Sequence, residues 1–301
     1  MTRGSMQVPA MALVLGLQAV ACDRSPPPAP APAESTGVTS AQSGETGTVR
    51  ASGSSALQPL VNAAKEQFEA RNKGISVEVS AGGSRKGLAD VAAGAVQIGD
   101  SDIFAPDDLK AQLVDHKIAV VGFAAMANKG VGDKIAALTL QDLGRVFSGA
   151  VTNWKEVGGD PLPVVVINRA PGSGTRAVFG NIVLGGDRFV ESQTEDNSGA
   201  LVAKLKQTKG AISYLALSFK DDELVTLSLK GTGAGAIDPT DANIESGAYP
   251  IWSYEHMFTK GEASGQAKAF LDYVLAADFQ KGTLPTVKGF IPVTDMKVNK
   301  D

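Results

Sequence analysis

Val164-Val-Val-Ile167 runs straight into Asn168-Arg169-Ala170-Pro171-Gly172-Ser173-Gly174-Thr175, and Arg176 to about Leu184 follows. Four apolar residues, three of them β-branched valines, predict a short buried strand. The Pro-Gly-Ser-Gly cluster predicts a tight loop, and a Ser/Thr pair before the next segment predicts a helix start. Strand, glycine loop and helix in succession are the repeating unit of an open α/β sheet. The loop also has a chemical meaning. N–H groups in the first turn of a helix have no acceptor within the helix, and the helix dipole adds positive potential there. Glycine lets the backbone approach an anion closely, and serine adds a hydroxyl donor. Arg169 stands at a strand end, where ligands bind in such sheets, and its planar fork matches an oxyanion. Its ordinary alternative is a surface ion pair.

The same unit occurs twice more upstream. Thr48-Val-Arg-Ala-Ser52 reads as a strand entering Gly53-Ser54-Ser55. Leu57, Leu60, Val61, Ala64 and Phe68 then fall on one helical face. Pro59 is compatible with a helix that starts at about Ala56. Ile75, Val77 and Val79 alternate as a strand, followed by Gly82-Gly83-Ser84 and a short helix from about Arg85 to Ala93. Val96-Gln-Ile-Gly99 is a strand ending in Asp100-Ser101-Asp102. Ile118 to Ala125, Ala211 to Leu215 and Leu224 to Leu229 read as further strands, with helices from Thr139 through Phe147 and around Ala267 to Leu275. Alternation of this kind implies open, largely parallel sheets. A serine before a helix is also simply a good N-cap, worth about 1 kcal/mol. Three such loops together with Arg169 favour an anion site, because each helix end adds about 0.3–1 kcal/mol when exposed and about 2 when partly buried.

Bulk composition narrows the classes. The chain has 301 residues, 43% hydrophobic and 20% charged, enough for a sizeable core and unlike a disordered or fibrous chain. A net charge of −4 excludes general attraction to nucleic acid or an anionic membrane, so a bound anion must be held by local geometry. One cysteine excludes an internal disulfide framework and a cysteine metal cluster. The two histidines, His116 and His256, leave little for a zinc site or a Ser-His-Asp triad. No G-x-x-x-x-G-K-[ST] and no G-x-S-x-G occur. Gly231-Thr-Gly-Ala-Gly-Ala236 matches G-x-G-x-x-A, but Pro239 falls where the following helix should run. No cofactor or metal is expected. Trp154 and Trp252 are read as packing residues.

The N-terminus reads as an address. Arg3 is the only early cation, and Met11-Ala-Leu-Val-Leu-Gly-Leu17 is too short to span a bilayer as a mature helix. Ala19-Val-Ala-Cys22 resembles a bacterial lipoprotein cleavage site, with residues 1–22 as the signal and Cys22 as the lipidated first mature residue. The alternative is a plain secreted protein with an incidental cysteine. Residues 23–47 hold no aromatic residue and five prolines at positions 26, 27, 28, 30 and 32, the composition of a disordered tether.

Five motifs occur in a telling order: Gly53-Ser-Ser-Ala-Leu-Gln-Pro-Leu60, Ala95-Val-Gln-Ile-Gly-Asp-Ser-Asp102, Phe147-Ser-Gly-Ala-Val-Thr-Asn-Trp154, Arg169-Ala-Pro-Gly-Ser-Gly-Thr-Arg176 and Gly247-Ala-Tyr-Pro-Ile-Trp252. Together they resemble the phosphate-binding proteins of bacterial ABC-type phosphate importers, across about residues 48–293. The resemblance implies a two-lobed periplasmic-binding-protein fold of type 2, with two mostly parallel sheets and two chain crossings as a hinge. Lobe one would be 48–122 plus 252–301, and lobe two 123–251. The implied phosphate ligands are Ser55 with the Ala56 amide, Ser84, Asp102, Arg169, Ser173, the Gly174 amide and Thr175, with Ser54 as a weaker candidate beside Ser55. Implied too are a non-enzymatic role, inorganic phosphate as ligand, ABC permease subunits as partners, a monomer, and an extracytoplasmic place on the membrane through the lipid anchor. Two other readings remain: an oxyanion sensor presented to a receptor, and a phosphate-ester-processing enzyme, which would need a metal or an activated nucleophile.

Asp102 is the residue that argues for phosphate. An ionised carboxylate only accepts hydrogen bonds, so it repels sulfate and can accept a P–OH proton. Its alternative is to cap the segment at Ala105-Pro106. Arsenate carries the same proton. Arg85 and Lys86 follow Ser84, where the family has small residues. They either strengthen the field at the site, with room for a larger phosphorylated ligand, or point into solvent.

Overall fold

In the computed structural model the protein is described over residues 46–131, 134–231 and 235–300. The expected signal segment with Cys22, and nearly all of the expected tether, lie outside these residues. Strand β1 (Gly47–Gly53) leads into helix α1 (Gln58–Arg71), strand β2 (Ile75–Ala81), helix α2 (Ser84–Ala93) and strand β3 (Ile98–Ser101). Both β2 and β3 pair parallel to β1, one on each side. The chain ends leaving β1 and β3 therefore open at a topological switch point.

The centre of the molecule is strand β4 (Leu113–Asn128). Burial alternates over residues 113–117 and becomes unbroken from Ile118 to Ala127, as a strand covered on both faces requires. Over residues 113–122 β4 pairs with strand Trp252–Lys260, and over residues 123–127 with strand Ala211–Ala216. The pairing partner thus changes at Gly122/Phe123. The first half of the sheet carries β1, β2 and β3, while the second carries Val165–Val166 next to Ala211–Ala216. Phe123 donates its amide to the Ile251 carbonyl at 2.8 Å, so the two chain segments that pass between the halves are tied together.

The parallel pairing expected from strand–helix alternation holds at β1–β2, β1–β3 and Val165–Val166 with Ala211–Ala216. The pairs through β4 are antiparallel, as is Trp252–Lys260 with β3, so the sheet is mixed. Between β3 and β4 the reason is Trp252–Lys260, a strand that pattern reading does not separate from its surroundings. It returns from the second half and lies between β3 and β4. The run 224–229 also divides: Leu224–Thr226 pairs with β4, and Ser228–Lys230 joins a small separate sheet. There Leu229 faces Ile237 in an antiparallel pair, so the G-x-G-x-x-A stretch is flanked by two strands and not by a strand and a helix.

Helix α1 starts later than expected, at Gln58, with Pro59 in its first turn where no N–H is needed. Its predicted face, Leu57, Leu60, Val61, Ala64 and Phe68, is buried. Thr139 caps the next long helix by accepting the Asp142 amide at 2.9 Å. Trp154 is fully buried and donates from Nε1 to the Gly210 carbonyl at 2.9 Å, and Trp252 is likewise buried.

Candidate functional site

All nine residues expected at the anion site in the described part of the chain are buried: Ser54, Ser55, Ala56, Ser84, Asp102, Arg169, Ser173, Gly174 and Thr175. They come from loops that end β1 and β3, from the start of α2, and from the segment Asn168–Arg169 that leads into helix Gly174–Val183. Residues as far apart in sequence as Ser54 and Thr175, 121 positions, are thereby gathered into one buried cluster.

Hydrogen bonds join the two sides. Thr175 Oγ1 donates to Asp102 Oδ2 at 2.8 Å. Arg169 Nη2 donates to Ser55 Oγ at 3.0 Å, and its Nη1 to Ser198 Oγ at 3.2 Å. The Ser198 amide also donates to Ser55 Oγ at 3.2 Å. The Arg85 amide reaches the Gly172 carbonyl at 3.1 Å. That approach requires glycine: Gly83 has φ +82°, and a Cβ there would stand 2.7 Å from the Gly172 oxygen. Gly174 is equally constrained, because a Cβ would lie 2.1 Å from Ser84 Oγ and 3.0 Å from the Asp102 Cβ.

Three hydroxyls of the expected set accept hydrogen bonds from the protein's own backbone. Ser54 Oγ accepts the Ala56 amide at 3.0 Å and the Leu57 amide at 3.4 Å, so it caps its own turn and occupies the Ala56 N–H. Ser173 Oγ accepts the Arg176 amide at 3.2 Å as the N-cap of its helix. Ser84 Oγ accepts the Asp102 amide at 2.9 Å and so orients the aspartate. The amides of Gly174 and Thr175 stand in a first turn, where the helix itself supplies no acceptor. Asp102 makes no cap to the next segment; the short helix after it has Pro106 at its N-cap. Arg85 and Lys86 are exposed, and Lys86 pairs with Asp90 in its own helix.

Arg169 is held from behind. Its amide donates to the Tyr214 hydroxyl at 3.2 Å, and Arg176 Nη1 donates to its carbonyl at 2.8 Å. Tyr214 stacks on Phe179 with ring centroids 4.8 Å apart, and burial pushes its hydroxyl up to about 12. Arg169 is 1% exposed, and its Nε has no acceptor. Burial pulls its pKa down from the ordinary value, while the Asp102 carboxylate opposes that pull.

Pattern reading misses two residues here. Ser198 begins helix Ser198–Gln207, capped by Asn197, which accepts the Ala200 amide at 2.9 Å. Asn197-Ser198-Gly199 before Leu201 and Leu205 was the available signal, the same kind as in the other three loops. Glu255 is fully buried on strand Trp252–Lys260, and its only signal was a charge inside the apolar run from Trp252 to Phe258.

Asp100, next to the site, is 1% exposed, and neither of its carboxyl oxygens has a hydrogen-bond donor. Burial, and then the charge of Asp102, hold its carboxyl well above the usual carboxylate range. The folded protein therefore keeps a proton that the unfolded chain releases, and stability falls as pH rises past the unfolded value, by up to about 1.4 kcal/mol per pH unit. Asp100→Asn is expected to flatten this decline. Urea unfolding midpoints from pH 4 upward measure it, and an unchanged slope would show that Asp100 is not the source.

The sequence matches the PBP superfamily domain over residues 38–278, so the chain belongs to that superfamily of two-lobed binding proteins. It lies with its PstS-like members: it is 46% identical over 260 residues to the phosphate-binding protein PstS of Bacillus subtilis, covering 85% of this chain and 84% of that one. A phosphate ABC transporter substrate-binding protein from Clostridium perfringens, solved with bound phosphate, superposes with a TM-score of 0.75 at 28% identity, over 82% of this chain and all of the other. An ABC-type phosphate transport receptor from Vibrio cholerae shares the fold, with a TM-score of 0.64 at 20% identity over 81% of this chain.

Proposed function

We propose that this chain is the extracytoplasmic solute-binding protein of an ABC-type phosphate importer, closing two lobes over one inorganic phosphate and handing it to the permease. The lobes are the two halves of the sheet, 48–122 plus 252–301 and 123–251, and the hinge is the pair of crossings at Gly122/Phe123 and Ile251/Trp252. In support, the described residues pack as one compact unit, as closed lobes would. The ligand set is Ser55, Ser84, Asp102, Arg169, Ser173, Gly174 and Thr175, with Ser54 and the Ala56 amide shaping the first loop. Phosphate would enter between pairs that now bond directly, Thr175 with Asp102 and Arg169 with Ser55.

One observation carries the reading: a buried aspartate, Asp102, tied to Ser84 and Thr175 at the starts of two helices, is buried together with Arg169. The arginine and the amides favour any oxyanion; the carboxylate favours one that still carries a proton. The protein binds and releases its ligand without catalysis. Cys22 carries the lipid anchor, and residues 23–47 tether the binding domain near the membrane. The protein acts as a monomer.

Calorimetric titration tests this reading. The protein is first unfolded and refolded to remove any carried-over ligand, then titrated in parallel with phosphate and with sulfate. Tight phosphate binding without sulfate binding is expected. A well-folded protein that binds neither would overturn the reading.

A further inference from the structure

Behind the cleft, three acids share one buried region: Asp100, Asp102 and Glu255. Glu255 is wholly inaccessible, and neither of its oxygens has a donor. It stands on the strand that also fixes the Asp102 backbone, since Ser253 Oγ donates to the Asp102 carbonyl at 2.8 Å. The neighbouring register pairs His256 with Ser101 and Met257 with Asp100, so this strand passes directly beside the end of β3. The same register, continued by one residue, sets Glu255 opposite Asp102, whose Oδ1 is buried without a donor. Two carboxylates cannot bond each other, but a carboxylic acid donates to a carboxylate.

We propose that Glu255 is a positioning residue of the phosphate site, whose neutral carboxyl donates a hydrogen bond to Asp102 and aims that carboxylate into the cleft. The inference rests on the phosphate reading above. With Glu255 as donor, Asp102 keeps a fixed orientation and remains the acceptor for a ligand proton. Burial, and then the charge of Asp102, hold the Glu255 carboxyl well above the usual range. Asp102 and Asp100 are the ionisable groups facing it. Others on elements packed against its strand are engaged elsewhere: His256 with Asp115 at 2.7 Å, Lys117 over the rings of Phe104 and Tyr254, and Asp90 with Ser52 and Lys86.

The test pairs Glu255→Gln, which keeps a donor without a titratable proton, with Glu255→Leu, which keeps bulk without a donor. In ligand-free protein at neutral pH, infrared spectroscopy is expected to show the C=O stretch of a buried neutral acid that Glu255→Gln removes. In titrations with inorganic phosphate, the Gln variant is expected within about threefold of the parent and the Leu variant about tenfold to a hundredfold weaker, the size of a lost hydrogen bond to a charged group. Absence of the band, or a Gln variant as weak as the Leu variant, or a Leu variant as tight as the parent, would overturn the proposal. The infrared result stands without any ligand. A parent protein that fails to bind phosphate but shows a band that Glu255→Gln removes would overturn the phosphate reading and leave the Glu255 proton established. If Glu255→Leu does not fold, the band and the Gln titration decide.

Discussion

Arg169→Ala is expected to weaken phosphate binding by about a hundredfold to ten-thousandfold. Arg169 now donates to Ser55 and Ser198, and these same guanidinium edges would turn to the ligand. One hydrogen bond to a charged group is worth about 1.5–3 kcal/mol, and a bidentate fork makes two. Each 1.4 kcal/mol is a factor of about ten in affinity. The change also strips the counter-charge from Asp102 in a buried cleft, which adds to the loss. Arg169→Lys should recover only part of the affinity, because a lysine is a point charge that cannot form the fork. Titration calorimetry at neutral pH gives the answer. An Ala variant that stays folded and binds within threefold of the parent would remove Arg169 from the ligand set.

Asp102→Asn is expected to change which anion binds as much as how tightly. The carboxylate rejects a fully ionised oxyanion and accepts a protonated one, and pairing a buried acceptor with a ligand proton discriminates by about 10⁴–10⁵. An asparagine of the same shape can donate to sulfate. Phosphate and sulfate should then bind within about tenfold of each other, with Thr175 still able to bond residue 102 through the remaining oxygen. Competition between the two ions on refolded protein measures this directly. If the variant still excludes sulfate, selectivity lies elsewhere in the cleft, and the argument from Asp102 fails.

Much of this site was legible from local chemistry. Gly53-Ser-Ser, Gly83-Ser84 and Gly172-Ser-Gly-Thr175 were readable as strand-to-helix loops because turn residues and helix starts are short-range properties. Asp102 and Arg169 stood out as charges at strand ends. The helical face of α1 followed from spacing alone, since burying Leu60, Val61, Ala64 and Phe68 together needs no knowledge of the partner. Tertiary packing settled the remainder. The mixed sheet depends on Trp252–Lys260 lying between β3 and β4, pairings across 130 to 159 residues that no local pattern encodes. Ser54 and Ser55 are adjacent and chemically identical, and only the fold turns one hydroxyl into its own turn and the other toward Arg169. Glu255 is the clearest case. A lone carboxyl in an apolar strand is costly to bury, and its place becomes intelligible only once β3 brings Asp102 and Asp100 beside it, where a shared proton offsets that cost.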